Sequence, residues 1–133
     1  TADGRIKPEV LAPGDRIFSA SSDGTSSHTC EVHASEGTSM SAPLVAGASA
    51  LVRQYFTDDS FYVEDLENRG LCASKRSART SSVFSCASFP PSAATVKAML
   101  INSANLMGGS SEPDGYRGFG RVHLEAGMPL NGD

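Results

Sequence analysis

One long apolar segment restricts the possible folds of this 133-residue chain more than any other feature. From about Ser39 to Phe56, Ala, Gly, Leu and Val occupy nearly every side of the helix predicted there. A helix that is apolar all round is normally buried, and its small residues allow neighbouring elements to approach closely. The exposed-type residues Arg53 and Gln54 come only near the end, where a cation suits the negative helix terminus. We therefore predict an internal helix.

Shorter elements flank this helix. A second helix should follow Ser92, the expected N-cap, and end at Gly108-Gly109. Its apolar face comprises Val96, Met99, Leu100, Ser103 and Met107. Strands are predicted at 9–12, 16–20 and 121–124, and loop at 21–37. The order strand, strand, helix, helix, strand favours an α/β layered fold.

Residues 57–91 are polar, charged and without clear periodicity, which predicts an irregular surface insertion between the two helices. Its acidic pairs, Asp58-Asp59 and Glu64-Asp65, are interpreted as solvated loop charges. Its basic cluster is interpreted in the same way, with a proteolytic processing site as the alternative. That cluster comprises Lys75, Arg76 and Arg79.

Composition excludes several functional classes. The net charge of −4, from 11 basic and 15 acidic residues, argues against a nucleic-acid partner. No apolar run reaches the ~20 residues of a membrane span. The three cysteines lack a zinc-type spacing. Cys72 and Cys86 bracket part of the insertion and could form a disulfide, leaving Cys30 to pair elsewhere; three unrelated thiols are the alternative.

Ser39 occupies a position where the backbone could assist acyl transfer. With Thr38 as the N-cap, the Ser39 N–H is one of the free donors of the first helical turn and could receive a developing oxyanion. Gly37 leaves room for a substrate, and Pro43 cannot donate to the Ser39 carbonyl. A lone Gly-Thr-Ser is most often only a helix cap. A nucleotide-binding P-loop is disfavoured because its Gly-x4-Gly-Lys-Ser/Thr pattern is absent.

Four sequence blocks resemble the subtilisin-like serine proteases, the subtilases. GTSMSAPLVAG, at 37–47, resembles their nucleophile segment, and DGRIKPEVLAPG resembles the strand and turn before it. ATVKAMLINSANLM resembles the following helix, and GFGRV resembles a late glycine turn. The blocks occur in family order over nearly the whole chain except 57–91. The resemblance implies a three-layer αβα fold with a mostly parallel sheet, of which residues 1–133 would form the C-terminal part of one catalytic domain.

The resemblance also implies roles for individual residues. Ser39 would be the acylating nucleophile, Thr38 would support the oxyanion site, and Gly37 would belong to the wall beside the scissile bond. Met40 would lie behind the nucleophile. In this family the triad order is Asp, His, Ser, so the other two members are expected before residue 1. The segment alone is therefore expected to be inactive.

No local residue is assigned as a substitute base. His28 and His33 lack the family's histidine context, and His123 is expected to be exposed at a strand end. Asp23-Gly24-Thr25 is too near Ser39 to be the triad aspartate and is interpreted as a turn.

The predicted function is that of a serine endopeptidase, exercised in a longer chain on peptide or protein substrates. The upstream part of the same catalytic domain is the expected partner. The alternative is a non-catalytic subtilase-like module, a pseudoenzyme that retains Ser39 as a cap. Calcium binding and secretion are common in the family, but no calcium ligand is assigned.

Overall fold

The computed structural model describes residues 2–21, 24, 31–72, 86–108 and 113–128. Its helices in this part are α1 (Thr38–Thr57), α2 (Asp59–Asn68), α3 (Ala93–Asn102) and a 3₁₀ helix (Leu124–Ala126). Strands β1 (Ile17–Ala20) and β2 (Val32–Ser35) form an antiparallel pair. Helices and strands together fit part of an α/β fold. Among the described residues, parallel pairing is limited to one bridge, between Leu11 and Arg121.

Strand β2 lies in a segment that the sequence predicted as loop, so that prediction is wrong for residues 32–35. Val32 and Ala34 alternate with His33 and Ser35, and this period of two was the available signal. The serine and glycine content of the preceding residues outweighed it. Cys30, His28, Asp23 and Thr25 lie outside the described residues. Gly24 has φ 73°, a conformation typical of a turn.

The predicted strands at 9–12 and 121–124 are reduced to single bridges. Leu11 donates its N–H to Gly120 O at 2.8 Å, and Val122 donates to Leu11 O at 3.0 Å. Residues Leu124–Ala126 then form the 3₁₀ helix, which ends any strand. The backbones cross closely here, since a Cβ on Gly120 would lie 2.0 Å from Asn105 O. A crossing of this kind leaves room for local bridges rather than a long ladder.

Helix α1 matches its predicted range to within one residue at each end, but its burial does not match. Val52, Tyr55 and Phe56 are buried, whereas Leu44 is 43% exposed and Leu51 is 54% exposed. The reason is geometric: in the described part of the chain, the core cluster lies at the C-terminal half of α1. This cluster comprises Val52, Tyr55, Phe56, Leu100 and Met128.

The predicted insertion at 57–91 is not wholly irregular, because it contains α2. Asp58 caps this helix by accepting the Ser60 N–H at 3.0 Å. Asp65 accepts the Tyr55 hydroxyl at 2.8 Å. The sequence suggested that these carboxylates were solvated loop charges. Asp58 and Asp65 instead have structural partners. Lys75, Arg76 and Arg79 lie outside the described residues.

Two further features tie the insertion to the rest of the chain. The first is an aromatic cluster, in which the ring centroids of Phe56 and Phe89 are 5.2 Å apart. The members of the cluster are Tyr55, Phe56, Tyr62 and Phe89. The second is a disulfide between Cys72 and Cys86, one of the two alternatives that the sequence left open. Residues before and after the undescribed part of the insertion are thus joined covalently.

Helix α3 begins as predicted but ends earlier. Its N-cap is Ser92, whose hydroxyl accepts the Thr95 N–H at 3.1 Å. The helix ends at Asn102 because the chain then turns, with Ser103 buried at the C-cap. Asn105 and Arg121 exchange two backbone hydrogen bonds of 2.9 Å, which a continued helix would preclude. Met107 is therefore outside the helix.

Within the described residues, no helix has both the length and the apolar character needed to cross a membrane.

Candidate active site

Ser39 lies in the first turn of α1, where the sequence placed it, but one position further in. The N-cap is Gly37 and not Thr38, so Thr38 is the first helical residue and Ser39 the second. The side chains of Thr38 and Ser39 are exposed. Helical geometry gives the N–H groups of the first turn no partner in the preceding turn, and the partial positive charge of the helix end gathers there. The Ser39 N–H can therefore donate a hydrogen bond to a negative charge that develops beside the hydroxyl.

Gly37 shapes the entry into this turn. Its φ of 125° is a conformation that other residues rarely adopt. A Cβ on Gly37 would meet no atom within 4 Å, so the space beside its Cα is open. Its N–H donates to Gly14 O at 2.7 Å, and its carbonyl accepts the Met40 N–H at 3.0 Å. The backbone before Ser39 is thus fixed on one side and accessible on the other.

A groove of about 600 Å³ runs between the β1–β2 hairpin and the start of α1. Ser39, Met40, Pro43 and Leu44 line it on the helix side. On the hairpin side it is lined by Ile17, Phe18, Ser19, Ala20, Ser21, His33 and Ser35. Its walls are mostly apolar, and Ser39 is among the polar residues that line it. Because β2 was predicted as loop, the sequence did not anticipate this groove.

Within the described residues, neither His33 nor His123 is hydrogen-bonded to Ser39. His33 lines the same groove but makes no hydrogen bond with Ser39 within the described part. His123, expected at an exposed strand end, instead precedes the 3₁₀ helix, with its Nδ1 buried and lacking a partner in the described structure. Its Nε2 lies 3.8 Å from Glu125. The structure therefore brings together Gly37, Thr38 and Ser39, but assembles no triad from these residues.

Comparison with known proteins identifies the family of this chain. The sequence model of the subtilase family matches residues 1–120 of this chain. The chain belongs to the subtilase family. Its members are serine proteases, so the resemblance found in the four sequence blocks is confirmed.

Individual relatives agree with the family assignment. The Serine protease/ABC transporter B family protein tagA of Dictyostelium discoideum is 35% identical over 136 residues, covering 93% of this chain and 7% of that protein. Its counterpart tagD, from the same organism, is 31% identical over 83% of this chain and 6% of that protein. A C5a peptidase of Streptococcus pyogenes is 43% identical over 56 residues, covering 42% of this chain and 4% of that protein.

The matches to the two Dictyostelium proteins cover most of this chain but only a small part of each of those proteins. The chain spans about 7% of the length of the first and 6% of the second. The names of all three describe proteases or peptidases, and those of tagA and tagD also include an ABC transporter.

Proposed function

We propose that the complete polypeptide carrying this segment is a serine endopeptidase that works through an acyl-enzyme, with Ser39 as its nucleophile. The observation that carries this proposal is the exposed position of Ser39 in the first turn of α1, within the segment at 37–47 that resembles the family's nucleophile segment. A helix cap alone needs no exposed hydroxyl beside an open groove. The Gly37 N-cap also leaves the Ser39 side chain without a capping task.

The proposed reaction proceeds in two steps. Ser39 Oγ forms a bond to the peptide carbonyl carbon while a histidine accepts its proton, and the tetrahedral intermediate then loses the amine, which takes that proton. Water next attacks the ester and releases the acid, regenerating Ser39. The Ser39 N–H donates to the oxyanion, Thr38 supports this site, and Gly37 forms the wall beside the scissile bond. The histidine and its aspartate would come from sequence before residue 1, in the family order.

The same proposal includes the architecture. Residues 1–133 would form the C-terminal part of a three-layer αβα domain with a mostly parallel sheet, with 57–91 as an insertion. The upstream part of that domain would cover the side of α1 on which Leu44 and Leu51 are exposed. Without it the segment would be inactive, because a serine hydroxyl is a weak nucleophile without a base. The groove beside Ser39 would receive part of a peptide or protein substrate.

Active-site labelling of the complete polypeptide tests the mechanism. A serine-directed phosphonate should label Ser39, as peptide mapping would show, and Ser39→Ala should abolish both labelling and peptide cleavage. Ser49→Ala is a matched control on the same helix, because the Ser49 hydroxyl donates to Val45 O at 2.8 Å and Ser49 does not line the groove. Cleavage that survives in Ser39→Ala would contradict the mechanism. A folded wild-type protein that neither labels nor cleaves would favour the pseudoenzyme.

A further inference from the structure

The turn at Pro13-Gly14 contacts the nucleophile segment more closely than a side chain would allow. Gly14 O accepts the Gly37 N–H at 2.7 Å. A Cβ on Gly14 would lie 2.3 Å from Ser41 Oγ and 2.8 Å from Gly37 O. Both distances are shorter than real Cβ contacts, so any residue other than glycine would force one of the partners to move.

The two partners differ in how easily they can move. Ser41 Oγ is a hydroxyl that can rotate away about χ1. Gly37 O belongs to the backbone of the N-cap, and it also accepts the Met40 N–H at 3.0 Å. Displacing this carbonyl would therefore shift the first turn of α1, on which Ser39 lies.

The need for glycine at this position is steric rather than conformational. Gly14 does not have a positive φ, so alanine could adopt its backbone conformation. Gly37 differs, because its φ of 125° is itself unfavourable for other residues. A substitution at Gly14 thus tests the close contact alone.

We propose that Gly14 is a positioning residue for the nucleophile. It accepts a hydrogen bond from the residue two places before Ser39, and it packs against the residue two places after it. In this way Gly14 fixes the orientation of the Ser39 hydroxyl and N–H relative to the substrate. The inference rests on the proposed role of Ser39 as nucleophile. A displacement of about 1 Å in a reacting group can lower a rate by ~100-fold, so a small shift here is sufficient to be measured.

The test compares Gly14→Ala with the wild type in the complete polypeptide. The measurements are kcat and KM for a peptide substrate, the rate of phosphonate labelling at Ser39, and the thermal midpoint. We expect kcat and the labelling rate to fall by about 10- to 100-fold, with little change in KM. Gly115→Ala is the control, since a Cβ at Gly115 meets nothing within 4 Å and its φ is not positive. It should retain the wild-type kcat.

A double variant separates the two contacts that the added Cβ would make. Ser41→Ala removes the Oγ that lies 2.3 Å from the added Cβ. The effect of Gly14→Ala on kcat is measured in two backgrounds, wild type and Ser41→Ala. The loss of kcat should be smaller in the Ser41→Ala background. Recovery should be partial, because the contact with Gly37 O remains. The double variant also provides the test if Gly14→Ala alone does not fold.

Three results would overturn the inference. In the first, Gly14→Ala keeps the wild-type kcat and labelling rate. In the second, kcat and the labelling rate of Gly14→Ala equal those of the wild type once both are corrected for the fraction of folded protein, so that Gly14 is only a packing residue. In both, wild-type labelling at Ser39 would leave the proposed function standing. In the third, the folded wild type is itself unreactive, and the proposed function and the inference fail together.

Discussion

Glu9 connects the N-terminal segment to helix α3 through two lysines. Its Oε1 accepts hydrogen bonds from Lys7 Nζ and Lys97 Nζ. These bonds, first that of Lys7 and then that of Lys97, lower the pKa of Glu9 from 4.5 to about 2. The folded state therefore binds the proton less tightly than the unfolded chain, and acidification should favour unfolding. All three side chains are partly exposed, which limits the strength of the interaction.

The sign of this shift gives a defined pH window. The contribution of Glu9 to stability is fully present above the unfolded pKa of 4.5 and is lost as the pH falls through about 2. Glu9→Gln should lower the thermal midpoint of the complete polypeptide at neutral pH, and the difference from wild type should shrink across this window. Thermal midpoints measured over a pH series would show it. Glu64→Gln, at an exposed position without an ion pair in the described structure, is the control. A difference that stays constant down to pH 2 would contradict the assignment.

At the scale of elements, helix α2 is held by contacts with α1 and with the segment that precedes α3. Tyr62 from α2 packs against Phe56 from α1 and Phe89 from the segment before α3. Phe89 also donates its N–H to Phe56 O at 2.8 Å. The Cys72–Cys86 disulfide closes the intervening chain, with a sequence separation of 14 residues. Loop closure of this length restricts the unfolded chain more than the folded one.

Removing the disulfide should therefore destabilise the protein. The double variant Cys72→Ser/Cys86→Ser should lower the free energy of unfolding by about 3 kcal/mol, the value for a closed loop of similar length. Chemical denaturation of the complete polypeptide would measure this, and adding a reductant should lower the stability of the wild type but not of the variant.

The pairing itself can be checked by mass. Alkylation of the unreduced protein should leave Cys72 and Cys86 unmodified, and alkylation after reduction should modify both. Alkylation of both cysteines without reduction would exclude the bridge.

At the scale of the whole molecule, the main feature is the uncovered side of α1. Leu51 is 54% exposed in a helix whose sequence is apolar nearly all round. Full burial of a leucine side chain contributes about 1.5–3 kcal/mol of favourable free energy. Several exposed apolar side chains on one surface therefore favour association. The strands of the β1–β2 hairpin are paired only with each other within the described residues, which leaves their outer edges available as well.

The isolated 133-residue chain should consequently self-associate. Leu51→Glu should reduce this association, as measured by sedimentation velocity, because it places a charge in the apolar surface of α1. In the complete polypeptide the same substitution should lower stability and peptide cleavage, because there we propose that Leu51 is buried. Leu71→Glu is the control, since Leu71 is 66% exposed and lies outside α1. A monomeric isolated chain, or a complete polypeptide that tolerates Leu51→Glu, would contradict this account.

The sequence by itself determined the features that depend on neighbouring residues. Helix α1 and the place of Ser39 in its first turn follow from local composition and from the motif at 37–47. The Ser92 cap follows from a single hydroxyl and the N–H three residues later. Local interactions of this kind leave a periodic or positional signal that can be read along the chain.

Only the tertiary structure decided the features that join distant residues. Helix α3 ends at Asn102 because Asn105 must pair with Arg121. The Gly14–Gly37 contact, the pairing of Cys72 with Cys86 and the groove beside β2 likewise depend on segments far apart in the chain. Burial of α1 was predicted from its composition alone, yet burial depends on which other elements are present to cover it. The physical reason is that propensity acts within a segment, whereas close approach, bridging and coverage arise only when separate segments pack together.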